Sequence, residues 1–157
     1  MMNVSYVGDY HAFSGIMMSL LSLAMENPNE PLSVYLLSGT FAKKGKTYRP
    51  IGEKERSFLE KMIRHYHPAS QVFYCDCTEV FTKEMGDSIN LKNLYTPYAF
   101  MRLVMDLVPE LPDVILYLDY DTVVLGSLYE LYHTNLEGKD FAIAPDQIES
   151  RYFLQEK

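Results

Sequence analysis

Hydrophobic and polar positions alternate between two periods along the chain. Asn3 to Val7 is a short β-branched and aromatic run that stops at Gly8-Asp9, the signature of a buried strand ending in a loop. From Phe13 to Met25 the apolar residues Ile16, Met17, Leu20, Leu21, Leu23 and Ala24 recur at helical spacing until Asn27-Pro28, with Ser19 and Ser22 interrupting the run. Leu32 to Leu37, bounded by Pro31 and Ser38-Gly39, has the length of a second strand. Lys43, Lys44, Gly45, Lys46 and Arg49-Pro50 then form a basic, turn-rich connection. Beyond it, Phe58, Leu59, Met62, Ile63 and Tyr66 mark one face of a helix.

The second half repeats the alternation. Gln71 to Cys75 reads as a strand, and Val80 and Phe81 fall in a short helical segment before the polar Gly86-Asp87. Thr96-Pro97 places an N-cap residue before a proline at the first helical position, and the helix should run through Tyr98, Met101, Leu103, Met105 and Val108 to Pro109. Val114 to Leu118 is the most apolar strand. Ser127-Leu128-Tyr129-Glu130 has the spacing of a capping box opening a short helix, and Phe141 to Ala144 reads as a last strand. The alternation predicts one α/β domain over residues 1–157, with a mostly parallel sheet and helices on both faces.

Composition narrows what such a domain does. Apolar residues are 48 % and charged residues 22 % of the 157, which is globular rather than disordered or fibrous. Fourteen Lys+Arg against 21 Asp+Glu give a net charge of −7, and no basic run supplies a footprint for nucleic acid. The longest mostly apolar run, Ile16 to Met25, is half what a bilayer span requires. Met1 to His11 lacks the basic start of a signal peptide, so a cytoplasmic protein is expected. The basic connection reads as a solvated loop, with contact to anionic lipid at a membrane surface as the alternative. Cys75 and Cys77 read as two structural thiols, since two sulfurs without further Cys or His nearby make a poor metal site.

The chemistry is expected beyond the carboxyl ends of the strands, where ligands bind in parallel α/β sheets. Three predicted strands end in acids: Asp9, the pair Asp119 and Asp121, and Asp146. Residues i and i+2 of a strand share a side, so Asp119 and Asp121 can approach one hard divalent cation, Mn²⁺ or Mg²⁺. Such cations keep open positions and share them with phosphate oxygens, which points to a diphosphate ligand. An Asp-x-Asp triplet is common by chance and acids after a strand often cap turns. Here, however, the triplet follows an apolar strand, and Arg102 on the preceding helix can offset phosphate charge.

The ordered run from Tyr98-Ala99-Phe100-Met101-Arg102-Leu103, through Pro112 to Val124 with its Leu118-Asp119-Tyr120-Asp121 centre, to Leu128-Tyr129-Glu130-Leu131 resembles the core of glycosyltransferase family 8. The resemblance weakens toward the front but takes in Val4 to Leu23. It implies the nucleotide-sugar transferase type A fold and transfer of a hexosyl group from a UDP-sugar with retention of anomeric configuration. By the same resemblance Asp119 and Asp121 are metal ligands, Asp9 contacts uracil, Arg102 binds the donor and Asp146 faces the donor sugar. His11 stands where the family often has Asn, and Tyr120 offers a backbone contact to ribose. The acceptor, whether saccharide, lipid-linked or protein, is not specified. Family members continue into a His-x-x-Gly-x-x-Lys segment that supplies a third metal ligand and a phosphate-binding lysine; no such segment follows Asp121 here, so the chain is expected to correspond to the N-terminal, nucleotide-binding portion. Two other readings compete: a UDP-sugar-binding module without turnover, and a haloacid-dehalogenase-type phosphatase with Asp119 as nucleophile and Asp121 as general acid.

Overall fold

The structure is a computed structural model that describes residues 1–43, 45–92 and 96–144, with the side chains of residues 90 and 92 left out. Four strands form one parallel sheet: β1 (Met2–Val7), β2 (Leu32–Ser38), β5 (Gln71–Asp76) and β6 (Leu116–Tyr117), in the spatial order β5-β2-β1-β6. Between β2 and β5 the chain makes an antiparallel hairpin of β3 (Phe41–Lys43) and β4 (Lys46–Tyr48). The helices are α1 (Phe13–Glu26), α2 (Glu53–Arg64), α3 (Thr78–Met85), α4 (Pro97–Met101) and α5 (Tyr129–Tyr132).

Side-chain alternation divides the apolar residues between the two faces of the sheet. Val4, Tyr6, Val34, Leu36 and Val72 join Ile16, Leu20 and Leu23 of α1 and Leu59 and Ile63 of α2 in one core. Val7, Leu37 and Cys75 face the other way and meet Phe81, Tyr98, Met101 and Val104. Both faces are therefore covered, as a parallel sheet requires. Each fully buried Leu or Ile in these layers contributes roughly 1.5–3 kcal/mol of transfer free energy.

The predicted elements through β5 and α3 appear within a residue or two of their expected places. The basic connection is not a free loop: it is the β3–β4 hairpin with its return. Arg49 stacks over the Tyr10 ring at 4.2 Å, its carbonyl accepts from the Tyr10 N–H at 2.9 Å, and Asp9 bridges to Pro50. Lys44 lies outside the described residues.

Later elements are shorter than their patterns suggest. The helix opening at Pro97 tightens into a 3₁₀ segment over Arg102–Leu107 after five residues. Thr96 holds the N-cap position but its hydroxyl makes no capping bond. The strand expected over Val114 to Leu118 pairs only at Leu116 and Tyr117, with Val4 and Ser5 of β1, and the Leu118 N–H adds one bond to the Ser5 carbonyl at 3.1 Å before the chain turns away. The expected capping box is absent. Leu128, not Ser127, is the N-cap of α5, and Ser127 Oγ instead accepts from the Tyr129 N–H and donates to Asn27. Residues 141–144 form no strand, and Phe141 and Ile143 are exposed, since no described strand lies beside them to pair with.

Candidate active site

The chain order β1, β2, β5 steps outward in one direction, and β6 then returns to the opposite side of β1. The direction of winding reverses between β1 and β6, and open parallel sheets bind ligands in the crevice at such a reversal. The loops leaving these two neighbouring strands carry Asp9 and Asp119.

Two cavities open there. The larger, about 380 Å³, is lined by Val7, Ala99, Arg102, Tyr117, Asp119 and Asp121 together with Thr96, Tyr98 and Tyr120. The smaller, about 210 Å³, is lined by Gly8, Asp9, His11, Ala12, Lys46 and Tyr48 and by the same Thr96, Tyr98 and Tyr120. Those three shared residues form the partition between the two. Tyr98 is held in place by donating its hydroxyl proton to the Gly39 carbonyl at 2.5 Å, and burial pushes its ionisation well above the usual phenol range.

In the larger cavity, Asp119 and Asp121 lie in a turn beyond β6 rather than on the strand, so it is the turn and not strand alternation that brings both to one cavity. Tyr117 donates to Asp119 Oδ1 at 2.5 Å, and Arg102 Nη1 stands 3.9 Å from Oδ2, with both members of that pair about half exposed. Burial first, and the neighbouring carboxylate second, keep the Tyr117 hydroxyl protonated well beyond its usual range, so it remains a donor.

In the smaller cavity, Asp9 Oδ1 accepts the backbone N–H of His11 at 3.0 Å and of Ala12 at 3.3 Å, capping the 3₁₀ turn Tyr10–Ala12 that runs into α1. Its Oδ2 lies 3.2 Å from His11 Nδ1. His11 thus buttresses Asp9 besides lining the cavity. Lys46 and Tyr48 of the hairpin supply the opposite wall, a role that the basic composition of this segment did not disclose.

The acidic turn is fastened to α1 by small residues, of which Ser19 and Ser22 read in the sequence only as interruptions. Gly15 lies so close to the turn that an added Cβ would sit 2.7 Å from both Tyr120 Cδ2 and the Tyr120 carbonyl oxygen. Four residues on, Ser19 Oγ is 2.9 Å from the buried Tyr6 hydroxyl and 3.0 Å from Thr122 Oγ1. Thr122 in turn donates to the Asp119 carbonyl through both its hydroxyl, at 2.7 Å, and its N–H, at 3.2 Å. Three residues further, Ser22 Oγ accepts from the Val124 N–H at 2.9 Å. Gly15, Ser19 and Ser22 share one helical face. Small residues at that spacing in an otherwise apolar helix were the available signal.

The oxygen-rich pair suits a hard cation. Asp121 makes no hydrogen bond or ion pair with any described residue, and Asp119 is open to the cavity. Among the described residues no group of three or more His, Cys, Asp or Glu side chains is placed to hold an ion alone. The pair could hold part of the shell of a Mg²⁺- or Mn²⁺-like ion, whose remaining positions would have to come from elsewhere, such as phosphate or water oxygens. Asp146 lies outside the described residues. Away from the site, Cys75 and Cys77 are free and buried, and burial raises their thiols to about 11 and about 12, as befits structural residues. Among the described residues no helix is long and apolar enough to cross a membrane.

The family model for glycosyl transferase family 8 matches residues 3–157, so the chain belongs to that family. The phosphatase reading is thereby set aside. Among solved structures, the galactosyltransferase LgtC in complex with donor and acceptor sugar analogs is similar with a TM-score of 0.64 and 18 % identity, over 86 % of this chain and 43 % of that one. Its active-site mutant Q189E matches with the same TM-score, identity and coverage. The chain thus spans less than half the length of these relatives. A comparison with curated proteins gives no match.

Proposed function

We propose that the chain forms the nucleotide-sugar-binding part of a retaining hexosyltransferase that uses a UDP-sugar and a divalent cation. The observation that carries this reading is the junction of the two cavities. One holds two open carboxylates beside a guanidinium, the other a capped Asp9 with His11, and Tyr98, Tyr120 and Thr96 lie between them.

The division suits a nucleoside diphosphate. Asp9 keeps acceptor capacity for a base N–H after capping the turn, because a carboxylate offers about four lone-pair sites and three contacts are in use. Tyr120 and its backbone stand where the chain passes from one cavity to the other, which suits the ribose. Asp119 and Asp121 would hold Mn²⁺ or Mg²⁺, and Arg102 offers a planar fork of donors to the diphosphate. When bound, the cation neutralises charge gathering on the departing diphosphate more than charge on the intact donor, and so favours bond cleavage. Asp146 is assigned to the sugar on the strength of the family resemblance. The acceptor is a saccharide, lipid-linked or protein hydroxyl, and a cytoplasmic setting, with peripheral contact to a membrane, is part of the same proposal.

The test is calorimetric titration of UDP with and without Mn²⁺, followed by UDP release from UDP-glucose and UDP-galactose. Manganese-dependent binding that is lost in the double variant Asp119→Asn, Asp121→Asn is expected. Binding indifferent to both manganese and the two carboxylates overturns the reading. Manganese-dependent retention of UDP with no turnover identifies a binding module instead.

A further inference from the structure

Asp119 has a neighbour beside each of its oxygens while its carboxylate stays open to the cavity. Tyr117 donates to Oδ1, and the Arg102 guanidinium stands 3.9 Å from Oδ2. Tyr117, whose ring packs against the second core and whose strand is paired to β1, braces the Asp119 carboxylate through that one hydrogen bond. Arg102 is differently placed. It follows α4, is half exposed, and stands beside both the Asp119 carboxylate and the Tyr117 hydroxyl in the same cavity.

A cation approaching Asp119 therefore meets a second positive charge on the same carboxylate. Without an anion the two compete. When a diphosphate enters, Arg102 has a better partner, since bidentate guanidinium–phosphate bonds are among the strong charge-assisted ones, and the carboxylate is released to the cation. From this geometry, and resting on the function proposed above, we infer that Arg102 couples cation and nucleotide binding by exchanging Asp119 for the diphosphate, while Tyr117 positions Asp119 for both partners. The cation alone then binds weakly, and each ligand raises the affinity of the other by the same factor, as linkage requires.

The two roles separate by mutation. Arg102→Gln removes the competing charge and the diphosphate partner together, so Mn²⁺ alone should bind several-fold more tightly than to the wild type, while UDP alone binds less tightly. The factor by which UDP improves Mn²⁺ affinity, expected within the ~5–150-fold range of coupled sites, should fall about tenfold. Arg102→Lys keeps the charge and should restore weak binding of Mn²⁺ alone. Tyr117→Phe keeps the ring and should lower Mn²⁺ affinity by roughly 10–100-fold, the usual cost of losing a ligand-orienting partner, with the thermal midpoint little changed.

Mn²⁺ affinity is read directly from the electron paramagnetic resonance signal of the free ion, with and without UDP, so no turnover is needed. Unchanged coupling in Arg102→Gln, or Mn²⁺ alone binding no more tightly than to the wild type, overturns the exchange while the proposed function stands. Unchanged Mn²⁺ affinity in a folded Tyr117→Phe protein overturns the positioning role. A wild-type chain that binds neither Mn²⁺ nor UDP overturns the proposed function and this inference with it.

Discussion

The two edges of the sheet are finished in opposite ways. At the β5 edge, α2 reaches over and satisfies the strand with side chains: Arg56 Nη1 donates to the Val72 carbonyl at 2.8 Å, and Glu60 Oε2 accepts the Val72 N–H at 3.1 Å. Glu53 and Glu60 hold Arg56 in that position at 2.6 and 3.1 Å. At the β6 edge, among the described residues, only two pair with β1, and Val123, Leu125, Phe141 and Ile143 are exposed. Edge strands offer unpaired backbone, and proteins blunt them with charge or cover. The closed edge lies away from the acidic residues and the open one lies beside them. Regular pairing on the β6 side is thus replaced by side-chain ties to α1, which place the acidic turn without making it part of a strand.

The contrast is broken most severely at Gly15. Gly15→Val drives a side chain into the Tyr120 backbone, so a stability loss of about 1–3 kcal/mol is expected from overpacking, together with at least tenfold weaker manganese-dependent UDP binding; chemical denaturation and calorimetry measure the two. Next comes Asn27, whose buried amide donates to the Leu23 carbonyl and accepts from Ser127 Oγ and the Leu128 N–H. Asn27→Leu strands those groups and should cost roughly 1–3 kcal/mol, with UDP affinity little changed. At the opposite edge Arg56→Met uncovers the Val72 carbonyl and should cost about 1 kcal/mol, visible as a shift in the urea midpoint. Leu125→Gln, at a side chain 88 % exposed, should stay within about 0.5 kcal/mol of the wild type. A larger loss there would show the open edge to be packed.

Cys75 and Cys77 give a pH test of the side toward β5. The fold raises both thiols, so the native state holds their protons more tightly than the unfolded chain does. Their contribution is complete below the ordinary thiol range near 9 and is lost as pH rises toward about 11 and about 12. Stability should therefore decline above pH 9, and thiol reagents at pH 8 should label the native chain slowly.

Much of this fold was legible because its elements announce themselves locally. β1, α1, β2, α2 and β5 each combine a clear period with a Gly, Pro or Asn boundary, and burial on the predicted faces follows. The Asp119–Asp121 pair and Arg102 were legible as a set for the same reason: spacing along the chain keeps them near one strand end. What was not legible depends on partners far away in sequence. The Val114–Leu118 run is apolar enough for five paired residues, yet it lies in register with β1 only at Leu116 and Tyr117 before entering the acidic turn. Phe141 to Ala144 has strand composition and no described neighbour at all. Tyr117 reads as a packing residue until its hydroxyl is seen on Asp119, and Lys46 as a solvated charge until the hairpin folds back onto the Asp9 loop.

The rod formed by α1 and the 3₁₀ turn before it touches both halves of the crevice, with Asp9 capping its start and the acidic turn strapped along its flank by Ser19 and Ser22. Under the proposed function it would act as a ruler, one helix setting the span between the cavity assigned to the base and the cavity assigned to the diphosphate. A nucleotide of a different reach would then have to bend to that length.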